Sequence, residues 1–319
     1  NDETSMALRL RGEDQPLSKV EFPSALNTLD IKFSDQHLID GSLPNTITKL
    51  TIEFDNGFIP RIGIIPDSVV DLRITRISKD HQSQGFPSGL IPTSVKQLHL
   101  SGYLALSPGC IPNSVACLLI DLNSQSNLSI DTIPNTMTSL FLSNRVVTNI
   151  DFSGFRSLKY MSIDNINSIP KLPTSLSSLF MEKFNNIIVS GSLPNNLIKL
   201  HMNRLNIRLH YGSLPNSIQE LFLQQYNHPM KVGDLPSSLT HLEMMAYNHD
   251  LDLSNVPLVH LSLDNMERRL TLPTTLVTLI HPNFYPYNTN IPPCLFKLVF
   301  GGKFINKHPM PMPPSTTSY

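Results

Sequence analysis

Apolar and polar positions along the chain repeat one pattern: Pro, any residue, Ser or Thr, aliphatic, two variable positions, Leu, one variable position, aliphatic. It is plainest at Leu214–Leu223, followed by Tyr226-Asn227-His228-Pro229-Met230. With Pro as position i, copies begin at Pro23, Pro44, Pro66, Pro92, Pro112, Pro134, Pro173, Pro194, Pro215, Pro236, Pro273 and Pro292. Two more, at Phe155 and Asn255, keep the pattern without the Pro. The spacing runs from 18 to 26 residues and is most often 21 across about fourteen copies. Position i+6 holds thirteen Leu and one Met, Met161, a column that composition does not explain. A fixed period in this range predicts a solenoid, in which each coil buries its apolar face only against its neighbours.

Within each copy, i+6 and i+8 are apolar with a variable residue between them, the period-two signature of a half-buried strand. One short strand per coil gives a curved parallel sheet with rungs about 4.8 Å apart. Leu179, Leu200, Leu221 and Leu242 then point inward, and i+5, i+7 and i+9 face outward. Pro at i belongs to the turn before the strand, because it lacks a donor for the ladder. The Ser or Thr at i+2 is expected to bond local backbone groups of that turn. Leu8 and Leu10 have the i+6/i+8 spacing, so residues 1–22 read as a partial earlier repeat or N-terminal edge, with a polar turn at Gly12–Pro16. The third copy carries a polar insert, residues 78–85, expected to bulge as a loop. Copies eight to eleven are the most regular, and the repeats run over 23–310. Residues 311–319, rich in Pro and Met, are expected to be a disordered tail.

The segments LPNSIQELFL and YNHPM resemble the FNIP repeat, a leucine-rich-repeat relative named for a Phe-Asn-x-Pro segment. Further copies of the second half are Phe184-Asn185, Leu205-Asn206 and Tyr247-Asn248. The first half is also similar to the short repeats of bacterial leucine-rich effectors. The resemblance implies a β-rich leucine-rich-repeat-like solenoid. Asn185, Asn206, Asn227 and Asn248 are similar to the buried Asn ladder of such repeats, where each amide bonds the turn and the next coil. The family is known mainly from social amoebae and giant viruses, often beside F-box or kinase domains, which implies protein-binding adaptors.

Charge and chemistry narrow the function. Net charge is −1 with 15% charged residues and no basic stripe, which argues against nucleic acid. Three cysteines, Cys110, Cys117 and Cys294, are too few and too odd for a disulfide framework and point to a reducing, cytoplasmic setting. No apolar run is long enough to cross a membrane as a helix. No nucleophile elbow, phosphate loop, zinc motif or dinucleotide fingerprint is present, so neither catalysis nor a cofactor is expected.

The i+7 column supplies candidate contacts: His99, Leu119, Phe141, Phe180, His201, Phe222 and Glu243. An aromatic stripe with a charged rim on a concave sheet is expected to bind a protein partner. Glu220, His241 and His260 share the i+5 column, but ligands on adjacent strands have no spacing signature, so these are expected to be solvated surface groups and no metal site is expected. The expected function is a non-catalytic protein-interaction scaffold, such as the substrate-recognition part of a ubiquitin-ligase adaptor or the repeat region of a larger signalling protein. Two other classes are carried: a secreted or cell-surface ligand-binding module, with Asn127 as its sequon, and an array that self-associates end to end or along open sheet edges.

Overall fold

The computed structural model describes residues 4–10, 21–33, 41–54, 61–77, 86–123, 128–143, 150–231, 233–264, 268–281 and 291–299. The insert at 78–85, the turn at 12–16, the sequon Asn127, the half-repeat after Gly302 and the tail at 311–319 lie outside them. The chain divides into two compact units, Asn1–Ile163 and Asp164–Tyr319.

The first unit contains β1 (Ser5–Leu10), β2 (Thr28–Phe33), β3 (Lys49–Phe54), β4 (Asp71–Arg76), β5 (Gln97–Gly102), β6 (Cys117–Leu122), β7 (Ser139–Leu142) and β8 (Tyr160–Ile163). Each pairs in parallel with the next in sequence. In the second unit, β9 (Ser178–Met181), β10 (Lys199–Met202), β11 (Glu220–Leu223), β12 (His241–Met244), β14 (His260–Leu263), β16 (Thr278–Ile280) and β17 (Lys297–Val299) stack likewise. There β13 (Leu251–Asp252) and β15 (Leu270–Thr271) form a separate two-stranded ladder on another side of the coil, which no repeat position had indicated.

The repeat columns become columns of the core. Every i+3 side chain from Leu26 to Leu295 is buried, and so is every i+6 side chain from Leu29 to Leu279. Leu298, on β17, is only half-buried. At i+8 the column is equally sealed from Ile31 to the one polar member, His281, at 2% exposure. A further inner column, Phe184, Leu205, Tyr226 and Tyr247, fills the other side of the coil. Tyr226 and Tyr247 are parallel with centroids 6.4 Å apart, and their hydroxyls accept the N–H of Leu209 and Met230. A buried phenol with a partner is a stable core residue.

Backbone bonds explain the Pro-x-Ser/Thr segment. The Pro carbonyl accepts the i+3 N–H, as in Leu26 to Pro23 at 3.1 Å and Leu197 to Pro194 at 3.1 Å, which closes a turn. The i+4 carbonyl then accepts two N–H groups of the next coil: Asn27 takes Thr48 at 2.9 Å and Lys49 at 3.0 Å. The i+2 hydroxyls do not act locally as expected. Ser68 donates to Ile47, Ser94 to Val69, Ser217 to Leu197 and Ser238 to Ile218, each the i+3 carbonyl of the preceding coil. The turn already satisfies its own N–H, so the hydroxyl serves the carbonyl stacked beside it.

A glycine column at i−3 had gone unread. Gly41, Gly63, Gly89, Gly109, Gly191, Gly212 and Gly233 all have positive φ. From Gly63 to Gly233 each is the third residue of a turn such as Ser213 N–H to His210 C=O at 3.0 Å, a position that favours a residue without Cβ. The N-terminal register is also corrected. Met6, not Leu8, sits opposite Leu29, and Leu8 sits opposite Ile31. The shift is by two residues, so the in–out alternation survives it.

Candidate interaction face

Alternation along each strand puts i+5 and i+7 on the solvent side, and the burial pattern there is intermediate at i+5 and i+7 with i+6 and i+8 sealed from β7 to β12. In the first unit this side holds His99 on β5, Leu119 on β6 and Phe141 on β7, all half-buried. Phe141 lies against Tyr160 of β8, with centroids 4.8 Å apart. Burial lowers the pKa of His99, and the nearby Arg73 adds to it, while Asp121 and Asp71 pull the other way.

In the second unit the strands bring Phe180, His201 and Phe222 into one column. Centroids are 5.0 Å apart from Phe180 to His201 and 5.1 Å from His201 to Phe222. The rings are half-buried because they cover one another at the rung spacing, and Lys199 Nζ lies 4.8 Å from the Phe222 centroid. Glu243 continues the column on β12.

Charged residues of neighbouring coils are paired in both units. Lys32 meets Glu53, Lys49 meets Asp71 at 3.4 Å, and Lys183 meets Asp164 at 2.7 Å. Lys199 meets Glu220 at 2.9 Å. These pairs join side chains about one repeat apart, a relation visible in sequence only once the columns are aligned. Glu220 is therefore engaged by Lys199, while His241 and His260 stack with centroids 5.6 Å apart at 15°. Among the described residues no group of three or more His, Cys, Asp or Glu is arranged to hold a metal.

The Asn column forms a bonded ladder but not a buried one. Asn185 Oδ1 accepts the N–H of Asn206 at 2.8 Å, Asn206 that of Asn227 at 3.0 Å, and Asn227 that of Asn248 at 2.9 Å. Asn185, Asn206 and Asn227 are exposed and Asn248 half-buried, because the aromatic or Leu at the preceding position takes the inner place. His228 and His249 extend the edge, their Nε2 atoms 2.8 and 3.0 Å from the Asn206 and Asn227 carbonyls.

A cleft of about 390 Å³ in the first unit is lined by Gly109, Asn113, Asp131, Thr132, Asp151 and Phe155 among others. Two of its polar side chains are engaged locally: Thr132 donates to the Ser129 carbonyl at 2.6 Å and Asp151 accepts the Ser153 N–H at 2.9 Å. All three cysteines are free thiols, and burial raises the pKa of Cys110 and of Cys117.

Comparison with known proteins agrees with this architecture. Over its full length the chain is similar to CroV588, a novel circular leucine-rich-repeat protein, with 23% identity, TM-score 0.66, and 98% of this chain and 55% of that one covered. TLR13, solved in complex with ssRNA13, is similar at 15% identity and TM-score 0.57, covering 87% of this chain and 50% of that one. The chain thus spans about half the length of each, and the likeness shows a leucine-rich-repeat-like fold. No curated protein matches the sequence. The model of the FNIP Repeat matches residues 184–225, which include the Phe184-Asn185 and Leu205-Asn206 segments and the strands β10 and β11. Residues 184–225 are thus similar to the FNIP Repeat, and they lie within a leucine-rich-repeat-like solenoid.

Proposed function

We propose that the chain is a non-catalytic, cytoplasmic docking scaffold whose protein partner lies on the solvent side of the second unit's sheet, over Phe180, His201, Phe222 and Glu243. The observation that carries this reading is the three-ring ladder on the outward side of the sheet. Stacked rings cover each other's faces and leave their edges outward. Ring edges carry the positive side of the quadrupole, which suits carbonyl oxygens and the faces of a partner's aromatic side chains. The ion pairs within the sheet leave few charges for the partner to neutralise, so its matching surface is mainly uncharged. The same pairing disfavours nucleic acid, whose phosphates need free cations. A leucine-rich-repeat-like fold supports a protein partner, the free thiols support a reducing compartment, and the FNIP repeats favour an adaptor role such as substrate recognition in a ubiquitin ligase. His99, Leu119 and Phe141 offer a second patch in the first unit.

The test is a random-peptide display selection on the folded chain at pH 7.5, counter-selected on the Phe180→Asp/Phe222→Asp double variant. Aromatic-bearing, uncharged peptides should be enriched. Losing two central aromatics should weaken them by at least about 30-fold, the scale of an interface hot spot. Binding should change by less than about threefold between low and high salt. Peptides that bind the folded double variant equally well would place the interface elsewhere.

A further inference from the structure

The i+5 and i+7 columns of the second unit hold two lysines (Lys199, Lys297), two glutamates (Glu220, Glu243) and three histidines (His201, His241, His260). With neutral imidazoles the lysines and glutamates of these two columns cancel, so protonation of the histidines makes the two columns cationic; the outward i+9 column adds the carboxylates Glu182 and Asp264 beside them. His241 and His260 are paired in backbone register on β12 and β14, with nearly parallel rings 5.6 Å apart. His241 Nδ1 is 2.9 Å from Thr240 Oγ1, and His260 Nε2 is 4.0 Å from Glu243 Oε1. Glu220, beside His241 on β11, is held by Lys199 of β10. On the other side, β16 presents Thr278 to His260, and β17 carries Lys297 beyond it. One nearby carboxylate, Glu243, faces two rings, so protonating both sets like charges against each other at the ring spacing.

We propose that the His241–His260 stack is a proton-controlled release element: neutral, it completes two columns whose charges cancel; protonated, it turns these columns cationic and expels an uncharged partner. The release step rests on the docking role proposed above, whereas the coupling of the two rings does not. His260 is displaced in the direction the geometry requires: burial lowers its pKa and His241 and Lys297 add to this, with Glu243 opposing. Proton uptake by His260 is therefore postponed to below its ordinary value near 6.5. A unit charge on His241 at 5.6 Å displaces the titration of His260 by about half a pH unit at a dielectric of about 80 and by about two at about 20.

The experiment is an NMR titration of the imidazole C2 protons in the full chain. His241→Gln should raise the His260 midpoint by between about half a unit and about two units. Glu243→Gln should lower that midpoint, a second variant that keeps the test open should the first fold poorly. A peptide selected at pH 7.5 should lose at least about tenfold in affinity at pH 5.5, and most of that loss should vanish in His241→Gln/His260→Gln. A His260 midpoint unmoved by either variant, or equal acid release from the double variant, overturns the proposal. Absence of any peptide binding at pH 7.5 would instead remove the docking reading, and release with it, while leaving the ring coupling to the titration alone.

Discussion

At the scale of a single side chain, the i+2 hydroxyl shows how a small group ties one coil to the next. Ser217 Oγ is 2.6 Å from the Leu197 carbonyl, which lies in the preceding copy. Replacing it with Ala leaves that carbonyl without its side-chain partner, so Ser217→Ala should cost about 1 kcal/mol, read as a lower urea midpoint with an unchanged slope. No loss would mean that the bond is replaced by water. The identity of this partner was not legible beforehand, because a Ser after Pro is equally compatible with a local turn bond. Likewise the Asn ladder was legible as inter-coil bonding but not as exposed. Asn185 and its successors follow an aromatic or Leu at each step, and the larger apolar group wins the interior.

At the scale of one coil, the period-two alternation decides which of two adjacent residues matters for folding. Leu221 is fully buried and Phe222 is half-buried on the opposite side of β11. Leu221→Ala should cost about 2–5 kcal/mol by cavity formation. Phe222→Ala should cost distinctly less while affecting docking. A reversed order in denaturation midpoints would invert the in–out assignment on which the interaction face depends. This assignment was readable from the thirteen-Leu column, since position along a strand fixes the side. What could not be read was which outward residues meet. The Lys199–Glu220 pair and the Phe180–His201–Phe222 ladder arise from rungs brought together by coils of equal length. The glycine column was present in sequence yet easily passed over, because glycines in loops are common. Gly212 has φ +77°, with Ser190 Oγ 3.8 Å from where a Cβ would lie, so backbone conformation rather than space limits substitution there. Gly102 is the harsher case: φ is +85° and an added Cβ would fall 1.9 Å from the Arg76 carbonyl oxygen. Gly102→Ala should therefore lower the midpoint well beyond the change for Gly212→Ala, which should be about 1 kcal/mol.

At the scale of the whole molecule, stability in a repeat array is a sum of coils and their neighbour contacts, so a proton acts where it lands. Three histidines have pKa values lowered chiefly by burial: His99 in the first unit, and His260 and His281 in the second. For each, the unfolded chain takes up a proton at higher pH than the folded one. The folded state therefore keeps its full advantage above about 6.5 and loses it as pH falls toward each lowered value. His281 is the deepest of the three at 2% exposure, in a column that is apolar in the other described copies, with Asp264 opposing the burial effect only in part. Acidification from pH 7.5 to 5 should thus loosen the second unit more than the first. Amide exchange, corrected for its intrinsic pH dependence, should accelerate more at Leu261 and Leu279 than at Leu50 and Leu72. His281→Leu restores the apolar residue the column otherwise uses and removes one titrating group, so it should flatten that acid response around Leu279 while leaving Leu50 unchanged. If exchange at Leu279 in His281→Leu followed the wild-type pH course, the acid response would have to come from the more exposed histidines on the sheet face, and binding and folding would share one titration.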